Sequence, residues 1–216
     1  MKLLTTLILV VFVSALGFSQ VQTTSSHEDL AGPTAHLQYF KSLPLIVRLN
    51  LKQKTLDAYK KQIELASSED NKASYQADYD ELKSERQDYV KYVKSAFEKF
   101  YFFSEVYFIN DHDYKDFKSG KLGLLFSADG QKIDISQNQA HMLLVQGEND
   151  LHWIMMSSEE IPFPKAFPRE YKSGFKRVLN LFVAQKDANQ EDMDKAAQTI
   201  NERLFKYENK LKKRQK

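Results

Sequence analysis

The stretch Phe97-Glu98-Lys99-Phe100-Tyr101-Phe102-Phe103-Ser104-Glu105-Val106-Tyr107-Phe108-Ile109-Asn110 contains the change of period on which the fold turns. Up to Phe103 its apolar side chains continue a series through Tyr75, Tyr79, Leu82, Tyr89, Val93, Ala96 and Phe100. Steps of three and four residues place that series on one helical face. From Glu105 to Ile109 the run is continuous, apolar and rich in β-favouring residues, which predicts a strand covered on both sides.

Upstream, Leu49, Leu56, Tyr59, Ile63 and Ala66 repeat the helical spacing, and the pattern predicts a helix over Leu45 to Ala66. Ser67-Ser68-Glu69-Asp70-Asn71 interrupts it with side chains suited to capping a new helix. Two apolar-faced helices joined by so short a polar link form an antiparallel hairpin. The seam of the second helix is coiled-coil-like and compatible with self-association. Arg86 fills one of its slots, and in a self-associated seam it would need a partner carboxylate.

Downstream, Asp111 to Lys118 has room for two helical turns before Gly120. Leu122–Ser127 and Lys132–Ser136 flank Asp129-Gly130, a strong hairpin signal. A second hairpin pairs His141–Val145 with His152–Met156 across Gly147-Glu148-Asn149-Asp150. If Gly147 pairs with Asp150, His152 faces Val145. Ile161 to Pro168 is stiffened by proline and extended. Tyr171, Phe175, Val178 and Phe182 resume a helical face, and a last helix from Asn189 buries Met193, Ala197, Ile200, Leu204, Tyr207 and Leu211. The class expected is α+β, a mostly antiparallel sheet of about five strands with flanking helices, preceded by a long antiparallel helical hairpin. The divisions are 1–19 signal peptide, 20–42 flexible arm, 43–103 hairpin and 104–216 α+β domain.

Lys2 followed by the apolar run Leu3 to Leu16, with Gly17 and Ser19 after it, reads as a cleavable secretory signal. The expectation is an exported protein, periplasmic or secreted, with no integral span once the signal is removed. The chain has no cysteine, which excludes lipid attachment at a signal cysteine, disulfides, thiol nucleophiles and iron–sulfur clusters. Its formal charge of +2 falls to +1 without Lys2, so no overall attraction to nucleic acid follows.

The sharpest chemical cluster is Asp111, His112 and Asp113, with Asp116 a turn later, at the end of a strand. Carboxylates and an imidazole so placed suit a divalent cation, although no cofactor is predicted; the alternative is that Asn110 or Asp111 caps the short helix and the remaining charges face water. An EF-hand loop is excluded, because Lys115 stands at its third ligand position. His141 and His152 are too far apart along their strands to share zinc. Serine-elbow, zinc-protease and phosphate-loop motifs are absent from the sequence.

Phe163 and Phe167, set between prolines, are candidates for exposed aromatics that dock on a partner; the alternative is that they cover a sheet edge. The basic C-terminus, with Lys206, Lys210, Lys212, Lys213, Arg214 and Lys216 against only Glu208, suits a helix end and also an anionic envelope polymer or lipid surface. The function these features favour is a non-enzymatic envelope interaction module with a protein or polymer partner. The alternative is a hydrolase or metal-dependent enzyme near Asp111, His112 and Asp113.

Overall fold

Pro44 holds the residue before it away from helical backbone, and Leu45-Ile46-Val47 adds two β-branched side chains. In the computed structural model, which describes residues 40–136, 138–147, 149–163, 165–172 and 189–213, this stretch is a strand. β1 (Leu45–Leu49) leads into α1 (Gln53–Leu65) and α2 (Glu69–Phe100). β2 (Val106–Asn110), a 3-10 turn (Asp111–Asp113) and α3 (Tyr114–Lys118) follow. Then come β3 (Leu125–Phe126), β4 (Lys132–Ile133), β5 (Met142–Gln146), β6 (His152–Ser157), β7 (Glu170–Lys172) and α4 (Gln190–Lys213).

The sheet has seven strands in the order β4-β3-β2-β1-β5-β6-β7. β1 lies at its centre and runs parallel to both β2 and β5, while the other pairings are antiparallel. The expectation of a mostly antiparallel five-stranded sheet is therefore corrected to a mixed one. Helical periodicity had claimed Leu45 to Leu49, because Leu49 also fits the spacing of the α1 stripe. The helical hairpin accordingly lies between β1 and β2 and serves as their crossover, rather than standing ahead of the sheet.

One sheet face carries the main core. Leu45, Val47 and Leu49 of β1, Phe108, Met142, Leu144, Trp153, Met155 and Tyr171 point toward α2 and α4. Those helices contribute Tyr89, Val93, Ala96 and Phe97, then Met193, Ala197, Ile200 and Leu204. The other face is covered near its centre by α3, where Ile46, Ile109 and Leu143 meet Tyr114, Phe117 and Leu125. Beyond Lys172 the predicted helical face through Phe175, Val178 and Phe182 lies outside the described residues, as do residues 1–39.

α2 is 32 residues long, or about 48 Å. Ser68 caps it, accepting a hydrogen bond from the Asn71 N–H. α4 joins it only from Tyr92 onward, where Gln190 Nε2 donates to the Tyr92 carbonyl. Before Arg86 no α2 side chain is fully buried, and α1 is the helix packed beside that portion. The hairpin thus projects about 25 Å past the sheet-bound part of α2.

Candidate functional site

The C-terminal ends of the parallel strands gather polar side chains, as parallel strands ordinarily do. Arg48, next to last in β1, is the hub on one face. Its NH2 lies 2.6 Å from Asp111 Oδ1 and its NH1 2.9 Å from Glu160 Oε2. The guanidinium also stacks 4.8 Å from the Tyr114 ring centroid. Glu160 adopts a left-handed backbone, φ 63°, and reaches Lys118 at 3.7 Å as well. A non-glycine residue pays for that conformation, and the two cations holding its carboxylate offset the cost.

These contacts define what the Asp111 cluster can do. Asp111 is committed to Arg48. Asp116 pairs with Lys121 at 3.1 Å. Asp113 accepts from Asn110 Nδ2 at 2.9 Å and lies 3.5 Å from His112 Nε2. The four candidates occupy one turn and a half, yet two of the carboxylates point toward cations. Among the described residues no three His, Asp or Glu side chains converge as metal ligands.

On the opposite sheet face Arg86 is buried and forms a two-pronged pair with Asp150, NH1 to Oδ1 at 3.3 Å and NH2 to Oδ2 at 3.1 Å. Gln146 Nε2 donates to the same carboxylate. The carboxylate that Arg86 requires is therefore supplied within the chain, from the β5–β6 turn. Tyr89, one turn on, has its hydroxyl pushed well above the ordinary tyrosine range by burial first and by the Asp150 charge second. This cluster fixes the base of the hairpin to the sheet.

The register of β5 and β6 differs from the expected one by two residues. Val145 faces Ile154, and Gly147 N–H donates to the His152 carbonyl, so Gly147 faces His152 rather than Asp150. His141 and His152 stay on one face but stand six residues apart along it, about 20 Å. His152 Nε2 lies 3.0 Å from Glu170 Oε1. His141 is buried against Tyr114 and Phe117.

The His141 contacts fix its tautomer. Nδ1 faces the Gln139 carbonyl at 2.9 Å and so carries the hydrogen, leaving Nε2 to accept from the Tyr114 hydroxyl at 3.1 Å. Burial lowers the His141 pKa. The unfolded chain then takes up this proton first. The stabilisation is complete above the unfolded value of about 6.5 and is lost as pH falls from there toward the folded-state value. Urea melts across that window are expected to show a fall in stability that H141F lacks; equal slopes in both proteins would refute it.

Phe163 and Phe167 are not exposed. They are 1% and 4% accessible and pack on each other at 4.7 Å between ring centroids, with Phe40 at 5.3 and 4.8 Å from the two rings and Tyr207 5.3 Å from Phe167. Pro162 lies on the sheet edge by its bridge to Met156, so this segment covers an edge and delivers both rings to the core.

The exposed apolar surface lies elsewhere. At the free end of the hairpin a groove of about 450 Å³ opens between α1 and α2, lined by Ala58, Lys61, Gln62, Leu65, Asn71 and Tyr75 among others. Leu65 is 71% exposed. The signal was present in the sequence: Leu65 falls off the Leu56, Tyr59, Ile63 stripe and so cannot share its buried face.

Among the described residues no helix is long and apolar enough to cross a membrane. Compared with family models, with curated proteins and with solved structures, the chain gives no significant match.

Proposed function

We propose that this chain is an exported, non-enzymatic interaction module that engages an envelope protein through the free end of the α1–α2 hairpin. The observation that carries the reading is the groove there, apolar at Ala58, Leu65 and Tyr75 and polar at Lys61, Gln62 and Asn71. An apolar floor with a polar rim is the anatomy of a transient protein interface. A hairpin held at its base by Arg86 and Asp150 presents that groove on a rigid arm and limits the entropy lost on binding. The enzymatic alternative near Asp111, His112 and Asp113 draws less support, because Asp111 and Asp116 are each taken up by a cation.

Cross-linking in native cells through the hairpin lysines, with purification of the tagged chain, tests the reading. The expected result is a stoichiometric partner joined at Lys61, lost in L65E while the melting temperature of the variant stays within about 2 °C of the parent, as for an exposed substitution. Recovery of the chain alone, or an unchanged partner yield with L65E, would sink it.

A further inference from the structure

The hairpin occupies one end of the molecule, and the opposite end carries a surface of a different kind. α4 runs alongside the second half of α2, with Gln190 at Tyr92, Asp194 at Lys99 and Asn201 at Phe102. Its last three turns therefore continue past the end of α2, away from the hairpin tip. On those turns Arg203, Lys206, Lys210 and Lys213 follow one another at spacings of three, four and three, which places them on a single helical face. That face looks outward, because Leu204, Glu208 and Leu211 on the other side are buried.

Exposed Glu202, four residues before Lys206, borders the stripe at its start, and no acid lies on the face beyond it. Glu208 is the one acid between positions 203 and 213, and it points inward, held by Lys41 at 3.0 Å and Lys212 at 2.6 Å. Lys206, Lys210 and Lys213 are exposed and make no ion pair among the described residues. Interaction with the helix dipole accounts for cations in the last turn only. Arg203, two turns before it, donates to the Glu170 carbonyl at 3.0 Å, and Lys206 lies one turn before it, so the dipole does not explain Lys206.

Two further features stand at this end. Phe102 is 67% exposed beside Asn201, whose side chain accepts its backbone N–H at 2.9 Å. Lys41 packs against α4 here, paired with Glu208 at 3.0 Å and lying over the Phe205 ring at 5.3 Å, while Phe40 packs on Phe163 and Phe167.

We propose that the outward face of the last three turns of α4 docks on an anionic lipid bilayer surface, with Lys206, Lys210 and Lys213 facing headgroup phosphates. A row of lysines along one helical face is attracted to a plane of negative charge. α4 and the portion of α2 beside it then lie along the bilayer surface.

Co-sedimentation of the full chain with vesicles tests it, using phosphatidylglycerol mixed into phosphatidylcholine against phosphatidylcholine alone, at low and high salt. Binding is expected to the anionic vesicles only and to weaken with salt. The triple variant K206S/K210S/K213S is expected to bind about a hundredfold more weakly, at about fivefold per lysine. K54S/K60S/K61S, with the same net charge, is expected to bind as the parent does, and so is F102A, since Phe102 lies beside Asn201 across α4 from the lysine face. Equal losses in the two triple variants would assign the effect to net charge and overturn the site. Equal binding to neutral vesicles, no binding to anionic ones, or binding to soluble polyphosphate but not to vesicles would overturn it as well.

Discussion

D150A is expected to destabilise the fold by about 2–4 kcal/mol, somewhat below the figure for a fully buried pair because Asp150 retains a fifth of its exposure. Removing the carboxylate takes from the buried Arg86 guanidinium both of its Asp150 contacts while leaving its desolvation in place. The same change deprives Gln146 Nε2 of its acceptor. For a domain of this size the loss corresponds to about 5–15 °C in melting temperature. Replacing both members together, as R86M/D150L, is expected to recover most of it, since an apolar pair of similar volume carries no unpaired charge.

D111A supplies the contrast. Arg48 is partly exposed and keeps Glu160, so that loss is expected to stay within about 1 kcal/mol. Urea melts of the four proteins decide the matter. D150A within about 0.5 kcal/mol of the parent, the range of an ordinary surface change, would mean that the pair does not anchor the hairpin. Hydrogen exchange adds a local readout: amides around Arg86 and Tyr89 are expected to lose protection in D150A, while those of α4 keep theirs. A hairpin loosened at its base would also present its groove less rigidly, linking this pair to the proposed partner binding.

The sequence made the long elements legible and left the central one hidden. Tyr75 to Phe103 and Met193 to Leu211 announce α2 and α4, because long stripes repeat the helical period many times and errors at their ends matter little. β1 has only five residues, and its pattern is compatible with either period. The distinction rests on Pro44 and on the β-branched pair Ile46 and Val47, both local signals that a longer helical stripe beginning at Leu49 overrode. Losing β1 concealed the parallel centre of the sheet, since β2 and β5 have no other parallel partner. The register of β5 and β6 turned on a loop length: Gly147 faces His152 rather than Asp150, so the connection is longer than two residues, and each added pair of residues shifts every cross-strand partner. For the candidate sites, residue type was readable and direction was not. Asp111 and Asp116 were visible as carboxylates, whereas Arg48 and Lys121, which take them up, come from other parts of the chain. Proline-flanked phenylalanines read as exposed because the segment is extended, yet an extended segment on a sheet edge can turn every aromatic inward, as Phe163 and Phe167 do.

G147A is expected to cost about 1–3 kcal/mol, the usual range for forcing an extra atom into a packed position. A methyl carbon at residue 147 would lie 2.4 Å from His152 Nδ1, 2.7 Å from Cγ and 2.8 Å from Cε1. These are atoms of a ring that is itself buried and tied to Glu170, so it cannot swing aside as the end of a lysine would. The glycine is thus required for close approach across the turn between β5 and β6, where its N–H donates to the His152 carbonyl. Its backbone is not left-handed, in contrast to Gly130 at φ 89°, so no conformational penalty is added to the clash. That difference makes the cause separable. H152A removes the ring, and in the H152A background G147A is expected to cost only a few tenths of a kcal/mol, an interaction energy well above the scatter of additive pairs. Were the glycine required for its backbone instead, G147A would cost as much with the ring absent as with it present. Chemical melts of the two single variants and the double one distinguish these outcomes. The first would place the requirement in the His152 ring, and so in the packing that fixes the register from which Asp150, held by Gln146, reaches Arg86.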